Sequence, residues 1–193
     1  MIFAVDTSSA LSGVALLTPS GSVEREVLHP SGRTFDLPGV YRSLAAGVQL
    51  TTVAVATGPG SFTGLRVGVS FGLGLAMGLG IPIVALPTLG IQAARTEGPV
   101  TAVAEAGRGR VYYLLRGDEP RIGEPGDLPG GVPVVGWLRP ATEAAVRSAG
   151  IVVKLDSELR SFGEAVARLL ETAREAPYGS LKIQYMQSIS ARA

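Results

Sequence analysis

Short apolar runs separated by turn residues shape the first hundred positions of the chain. Residues 2–5, 13–17 and 22–28 form three such runs, and the third alternates apolar and charged residues as a half-exposed strand does. Residues 51–56 and 81–86 form two more, and the second is typical of a buried parallel strand. The pattern predicts three antiparallel strands, followed by two further strands.

Helical spacing of apolar residues lies between these strands. Residues 34–46 show it, and Pro38 is a candidate for the true start of this helix. Residues 58–80 run from a glycine-rich turn into a long apolar helix, which a hydroxyl of Ser61 or Thr63 can cap. The order βββαβαβ predicts a mixed sheet of the ribonuclease-H-like kind, as in each half of actin-like ATPases.

The second half of the chain continues with smaller elements. Residues 100–104 and 111–115 predict a hairpin that echoes the first two strands, which indicates either a duplicated fold or two ordinary hairpins. We therefore expect an α/β protein with two subdomains, 1–98 and 99–193, each a mixed sheet flanked by helices. The remaining elements are strands at 132–135 and 151–154 and helices at 88–95 with Thr88 as cap, 140–149 and 162–174.

Composition narrows the possible chemistry. Of 193 residues, 46% are hydrophobic and 17% charged, which argues against disorder, and the net charge of +1 does not favour strong non-specific binding of nucleic acid. The sequence has no cysteine and one histidine, His29, so thiolate chemistry and a multi-histidine metal site are excluded within it. Because the N-terminus carries Asp6 and lacks a basic and apolar leader, we expect a cytoplasmic protein.

A membrane-spanning helix is the competing interpretation of residues 67–86, a stretch without any charge that is long enough to cross a bilayer. Against it, Gly80 and Pro82 interrupt the run, and no cluster of Lys or Arg flanks either end. We expect no membrane contact, and partition into detergent would favour the alternative.

Two polar turns are candidates for binding phosphate and Mg²⁺. The first ends the first strand, where a carboxylate could hold Mg²⁺ through water. The second is the glycine-rich turn, whose backbone amides and following helix dipole favour an anion. The alternatives are a turn in which the carboxylate bonds its own backbone and a tight connection without a ligand. The candidate residues are Asp6, Thr7, Ser8, Gly58, Gly60 and Ser61.

Small residues recur every four positions along the long helix and form a smooth ridge that permits the close approach of another backbone. This ridge either packs on the chain's own sheet or also packs on a partner. It consists of Gly64, Gly68, Gly72, Ala76 and Gly80, and a second row holds Ser70, Gly74 and Gly78.

The sequences AVDTSS near the start and GPGSFTGLRVG before the long helix are together similar to the TsaB (YeaZ) family, best over residues 1–116. The resemblance implies an actin-like (ASKHA) fold and a non-catalytic role in making N6-threonylcarbamoyladenosine (t6A) in tRNA. Proteins of this family resemble the catalytic paralogue TsaD, lack its metal-binding histidines, and serve as a scaffold for TsaD together with the ATPase TsaE. The family's older label, glycoprotease-like, describes homology, and nothing in the sequence indicates peptidase chemistry.

The resemblance also implies the partners and their surface. The first two helices would form a helical bundle with a TsaD-type paralogue or with a second copy, tRNA would be reached indirectly, and ATP and Mg²⁺ would act only at the level of the complex. We expect a charged residue at Gly72 or Leu75 to abolish TsaD binding and to leave the fold intact. Carried onto this sequence, the surface consists of Leu37, Tyr41, Leu44, Gly64, Val67, Gly68, Phe71, Gly72 and Leu75.

An independent ATP-dependent kinase or phosphatase is the second hypothesis, motivated by Asp6 and the glycine-rich turn. It is disfavoured because the second half lacks a clear adenosine-binding glycine motif and a catalytic acid. Arg66 could neutralise an anion or be a solvated charge. Arg108 and Arg110 could contact phosphate or RNA, or form a solvated hairpin tip, and His29 is not expected to be catalytic.

Overall fold

The computed structural model describes residues 1–32, 34–115 and 117–186, and within them it contains ten strands and five α-helices. The strands are β1 (Ile2–Asp6), β2 (Leu11–Leu17), β3 (Val23–Pro30), β4 (Thr52–Ala56), β5 (Ile83–Leu86), β6 (Thr101–Gly107), β7 (Arg110–Leu115), β8 (Arg121–Gly123), β9 (Val134–Val135) and β10 (Glu175–Ala176). The helices are α1 (Leu37–Ala45), α2 (Phe62–Leu79), α3 (Thr88–Ala94), α4 (Pro140–Ser148) and α5 (Phe162–Leu170).

The larger sheet has six strands in the order β10-β5-β4-β1-β2-β3. β1 pairs antiparallel with β2, and β2 with β3, whereas β1–β4 and β4–β5 are parallel pairs. The predicted order βββαβαβ is confirmed for this half of the chain. The two faces of β1 serve different cores, because Phe3 and Val5 lie in the cluster under α1 and α2, while Ala4 lies in the cluster with α5.

Capping residues set the ends of the first two helices. α1 begins after Asp36, whose carboxylate accepts from Gly39 N (3.0 Å), and Pro38 occupies the first turn, so the helix starts later than residue 34. Ser61 caps α2 by accepting from Gly64 N (3.3 Å), as one of the two predicted candidates. Both helices therefore start where their side chains satisfy free amides.

The prediction for α3 is wrong at its cap. Thr88 is the first helical residue, Pro87 precedes it, and no side chain caps the helix. The Thr88 hydroxyl instead lies 3.0 Å from Ser8 Oγ, so it joins this helix to the turn after β1.

The smaller sheet has four strands in the order β8-β7-β6-β9. The predicted hairpin is β6–β7, and it turns through Arg108 and Gly109, both with positive φ. The strand predicted at 151–154 is reduced to one parallel bridge between Val134 and Val153, because the neighbouring strand β9 has only two residues with which it could pair.

The C-terminal segment crosses back to the larger sheet, which corrects the predicted second domain of 99–193. Strand β10 pairs antiparallel with β5, and Phe162, Ala165 and Val166 of α5 are buried in the core beneath β2 and β4. The division at residue 98 therefore holds for the smaller sheet but not for α5 and β10. Two mixed sheets flanked by helices, the predicted ribonuclease-H-like and actin-like architecture, are confirmed.

Candidate functional site

Asp6 is at the end of β1, as predicted, but it is fully buried. Its Oδ1 accepts from Ser8 N (2.8 Å) and Ser8 Oγ (2.6 Å), and its Oδ2 has no hydrogen-bond partner among the described residues. Burial raises the pKa of the Asp6 carboxyl above its ordinary value, although the two bonds from Ser8 oppose this rise. This arrangement matches the alternative in which the carboxylate bonds its own turn.

The two predicted phosphate loops are bound to each other. Ser61 N donates to Ser8 O (2.7 Å), and Thr7 Oγ1 donates to Gly64 O (2.6 Å). A Cβ at Gly60 would lie 2.6 Å from Ser8 O, so glycine is needed there for the close approach of the two loops. The amides that could cradle an anion are therefore partly used inside the protein.

Gly58 serves a different contact. It adopts φ +109° and its carbonyl accepts from Thr88 N (2.9 Å). A Cβ there would meet Gln184 O at 2.8 Å, so this glycine admits the C-terminal segment.

A cleft of about 430 Å³ lies beside the start of α2, between the two sheets. Its walls include Phe62 of α2, Tyr112 of β7 and Tyr185 of the C-terminal segment. A second cleft of about 430 Å³ shares Ser61 and Glu105 with it. The two form one groove along the junction of the sheets.

Glu105 is the residue of this groove that the sequence placed in a turn. It lies in β6, is 6% exposed, and its Oε1 accepts from Arg139 N (2.7 Å). The sequence contained one signal for this position of Glu105. AVD at residues 4–6 and AVAE at 102–105 correspond, since Asp6 and Glu105 each follow at least three apolar residues in the first strand of a hairpin. The groove therefore has a buried carboxylate on one wall.

The glycine ridge of α2 faces the turn after β1 and the chain's own sheet, and its members Gly68, Gly72 and Ala76 are buried. A Cβ at Gly68 would lie 2.5 Å from Thr7 Oγ1, and one at Gly72 would clash with Val55 of β4. The close backbone approach that these glycines permit is thus made within the molecule.

The opposite side of α2 is exposed and, apart from Arg66 near the start of the described helix, carries no charged residue. Val67 is 46% exposed and Met77 is 58% exposed. A Cβ placed on Gly74 or Gly78 would have no atom within 4 Å, so packing inside the described part of the chain does not require glycine there. We call this surface the outer face of α2, and it consists of Thr63, Val67, Ser70, Gly74, Met77 and Gly78.

The structure corrects the predicted partner surface. Four of its residues, Leu37, Leu44, Gly68 and Gly72, are buried in the chain's own core. Four more, Tyr41, Gly64, Phe71 and Leu75, are half-buried, and the rings of Tyr41 and Phe71 pack against Phe3 at 5.3 and 6.2 Å. Val67 alone of the nine is exposed, and it lies on the outer face of α2.

The other candidate residues lie apart from one another. The Arg66 guanidinium stacks 3.8 Å over the Phe62 ring, and His29 Nδ1 lies 2.7 Å from Pro30 O. Arg108 is exposed at the tip of the β6–β7 hairpin and Arg110 is half-buried beside it. Among the described residues no group of three or more His, Asp or Glu side chains could hold a metal ion.

Within the described part of the chain, α2 is long and apolar enough to cross a membrane by length and composition, and 28% of it is buried. Its buried side covers β1 and β4, and Tyr178 Oη donates to the carbonyls of Ala76 (3.2 Å) and Ile81 (2.7 Å) at its C-terminal end. A helix held in this way covers a sheet, which favours our expectation over the membrane-spanning alternative.

Comparisons with known proteins agree with this fold. A family model described as "TsaD: tRNA N6-adenosine threonylcarbamoyltransferase" matches residues 43–127. "tRNA threonylcarbamoyladenosine biosynthesis protein TsaB" of Bacillus subtilis is 35% identical over 123 residues, which are 59% of this chain and 54% of that protein. The Escherichia coli protein of the same name is 35% identical over 122 residues, 58% of this chain and 53% of that protein. The chain thus spans about half the length of these relatives.

Among solved structures, YeaZ from Pseudomonas aeruginosa matches with a TM-score of 0.72 and 21% identity, over 96% of this chain and 99% of that one. Two mixed sheets flanked by helices, with a groove along their junction, define a protein of the actin-like class. Together with the matched sequences, these features make the chain similar to the TsaB (YeaZ) family in both sequence and fold.

Proposed function

We propose that this protein is a non-catalytic scaffold in the biosynthesis of N6-threonylcarbamoyladenosine in tRNA, and that it acts by binding a TsaD-type paralogue. The carrying observation is the outer face of α2, which is exposed, uncharged and rich in small residues. Gly74 and Gly78 each lower helix stability by about 1 kcal/mol relative to Ala, with no packing inside the described chain to offset it. A surface that lets another backbone approach closely gives these glycines a use.

The loops beside α2 support a scaffold more than a catalyst. Asp6 is buried and bonded to its own turn, and the predicted phosphate loops bind each other. Neither loop presents an acid to substrate. The names of the relatives in B. subtilis and E. coli support the assignment to t6A biosynthesis.

The likeness to the TsaD family model supports a paralogue as the partner. The matched residues 43–127 include all of α2 and the β4 strand it covers. A paralogue with an equivalent helix could pack against the outer face of α2 with close contact between backbones. A second copy of this chain could use the same face, which would make a homodimer and the heterodimer mutually exclusive.

The remaining parts of the proposal rest on the family resemblance. A TsaE-type ATPase would join the complex, ATP and Mg²⁺ would act at that level, and tRNA would be modified by the paralogue in the cytoplasm. This chain itself would require no cofactor.

Co-purification tests the proposal. Tagged full-length protein at native expression level should retain a larger actin-like paralogue from its own cell lysate, identified by mass spectrometry as a TsaD-type protein. Recovery of the tagged chain without any such paralogue, at concentrations where it is folded and monomeric, would contradict the proposal.

The kinase hypothesis makes a different prediction for the isolated chain. Micromolar binding of Mg-ATP with turnover, measured by calorimetry and phosphate release, would favour it over the scaffold. The buried Asp6 leads us to expect neither.

A further inference from the structure

Three side chains form an exposed stack at the start of α2. The rings of Phe62 and Tyr185 have centroids 5.1 Å apart with an interplanar angle of 40°. The Arg66 guanidinium lies 3.8 Å over the Phe62 ring, and its Nε donates to Tyr185 Oη (3.3 Å). Phe62 is 42% exposed and Tyr185 is 47% exposed, so the stack is accessible to solvent.

The chain fixes the position of Tyr185 through its preceding residues. Tyr178 is hydrogen-bonded to the C-terminal end of α2, Ile183 packs into the core beneath the helix, and Gln184 N donates to Thr57 O (2.8 Å). The segment therefore runs back along α2 and delivers Tyr185 to its first turn. An aromatic ring held by backbone contacts loses little conformational freedom when it binds a ligand.

The stack borders the cleft of about 430 Å³, which suits a nucleoside in size. Glu105 lines the cleft and is 6% exposed, its Oε1 accepts from Arg139 N, and Tyr112 lines another wall. A carboxylate in this position can accept from an exocyclic amine or a ribose hydroxyl. The cleft therefore offers an aromatic edge and a polar interior.

The charges around the stack are mainly positive. Arg66 belongs to the stack, Arg139 lines the cleft, and the exposed Arg108 adjoins Gly107 on the cleft wall. Aromatic rings among arginines occur at protein contacts and also on surfaces that stack unpaired bases and contact phosphates, and the adjoining cleft favours the second.

We propose that the stack of Phe62, Arg66 and Tyr185 binds an unpaired nucleobase of RNA, with the attached nucleoside directed into the cleft beside Glu105. The nucleobase chemistry follows from the stack and the cleft, while the choice of RNA over a free nucleotide rests on the proposed function. The stack adjoins Thr63 and Val67 at the N-terminal end of the outer face of α2, and Met77 lies toward the other end of that face.

Fluorescence anisotropy of the full-length protein with a labelled single-stranded hepta-adenylate RNA tests the proposal. Tyr185→Ala should weaken binding about tenfold, as expected for the loss of one base–aromatic stack, whereas Tyr185→Phe should retain it. Val152→Ala, which shortens an exposed apolar side chain beside strand β9, is the matched control and should bind as the wild type does. Circular dichroism verifies that each variant is folded.

The source of the base is distinguished by competition. If unlabelled AMP displaces the RNA as effectively as the unlabelled heptamer does, the nucleobase site stands and its ligand is a free nucleotide, which overturns the choice of RNA. A heptamer that competes better and weakens with added salt supports RNA, because phosphate contacts are screened.

The site would be overturned if the wild type did not bind the RNA, or if Tyr185→Ala bound it as well as the wild type does. If Tyr185→Ala also failed to co-purify with the paralogue while it still bound the RNA, the stack would be a protein contact. Failure of the proposed function gives a different result: the wild-type protein does not co-purify with the paralogue, while Tyr185→Ala still weakens RNA binding.

Discussion

At the residue scale, Asp6 shows how one position can be placed correctly and assigned the wrong environment. The sequence predicted an acid at the end of a strand beside hydroxyl groups, and this is where Asp6 lies. Asp6 is buried by the glycine-rich turn more than fifty residues away, because Ser61 and Gly64 hydrogen-bond to the turn that follows it. Short-range pattern contains no information about such a closure.

The raised pKa of Asp6 predicts a pH dependence of stability. Since the pKa in the folded state lies above the unfolded value of 3.8, the folded state binds more protons between the two values, and stability falls as pH rises through this window. Asp6→Asn removes the titration and keeps an oxygen to accept from Ser8. The free energy of unfolding of Asp6→Asn relative to wild type should therefore increase as pH rises from about 4.

Urea unfolding of both proteins from about pH 3.5 to about pH 8 measures this difference. A difference that is constant over the whole range would mean that Asp6 has the same pKa in the folded and unfolded states.

At the element scale, α2 is organised by two rows of small residues with different uses. The sequence identified both rows and left open whether the first packs on the sheet or on a partner. The structure packs the first row inside the molecule, since Gly68 approaches Thr7 in the turn after β1 and Gly72 approaches Val55 of the sheet, while Gly80 ends the helix. Periodicity alone could not decide this, because a glycine row that packs on a sheet has the same spacing as one that packs on another helix.

A matched pair of glycine substitutions tests the assignment. Gly72→Ala should destabilise the protein by about 1–3 kcal/mol, because its Cβ would overlap Val55 in the core. Gly74→Ala should stabilise it by up to about 1 kcal/mol, because the position is exposed, open and helical. Chemical denaturation provides both values, and equal effects at the two positions would contradict the assignment of the rows.

The same burial revises the sequence-based expectation that a charge at Gly72 or Leu75 leaves the fold intact. Gly72 is buried, and Leu75 is half-buried against the core cluster. A charge at either position would lower the stability of the protein, so a loss of partner binding could not be separated from unfolding. Gly74 and Met77 are the positions at which binding can be tested separately.

At the scale of the whole molecule, the N-terminal half was largely predictable and the C-terminal half was not. Continuous apolar runs and strong turn signals determined the order of the first five strands. Tertiary contacts bring α5 and β10 back to the larger sheet. Strand β10 pairs with β5 over two residues, and α5 buries one face in the core. Neither is encoded in local spacing, so the predicted boundary at residue 98 failed for these elements.

Arg95 is one of the residues that holds this return in place. It is 3% exposed, pairs with Asp156 Oδ1 (2.7 Å), donates through Nε to Arg160 O (3.1 Å) and lies 5.2 Å from the Trp137 ring. It thus joins α3 to the segment that leads into α5. No local pattern identified it.

Removal of this link should destabilise the whole protein. We expect Arg95→Ala to cost about 2–4 kcal/mol, because it removes a buried cation together with its packing. Arg147→Ala is the control, since Arg147 forms an exposed pair with Glu143 (2.8 Å) that should contribute less than about 1 kcal/mol. Equal unfolding free energies for the two variants would show that the return of the chain does not depend on Arg95.

The central claim is that the outer face of α2 binds a TsaD-type paralogue, and calorimetric titration of the two purified proteins tests it most directly. Met77→Glu and Gly74→Glu should each weaken binding by at least about thirtyfold, because each would bury an unpaired charge in the contact. Ala144→Glu places the same charge on exposed α4 and should bind as the wild type does. Wild-type affinity in Met77→Glu and Gly74→Glu, with their helical content unchanged, would contradict the claim.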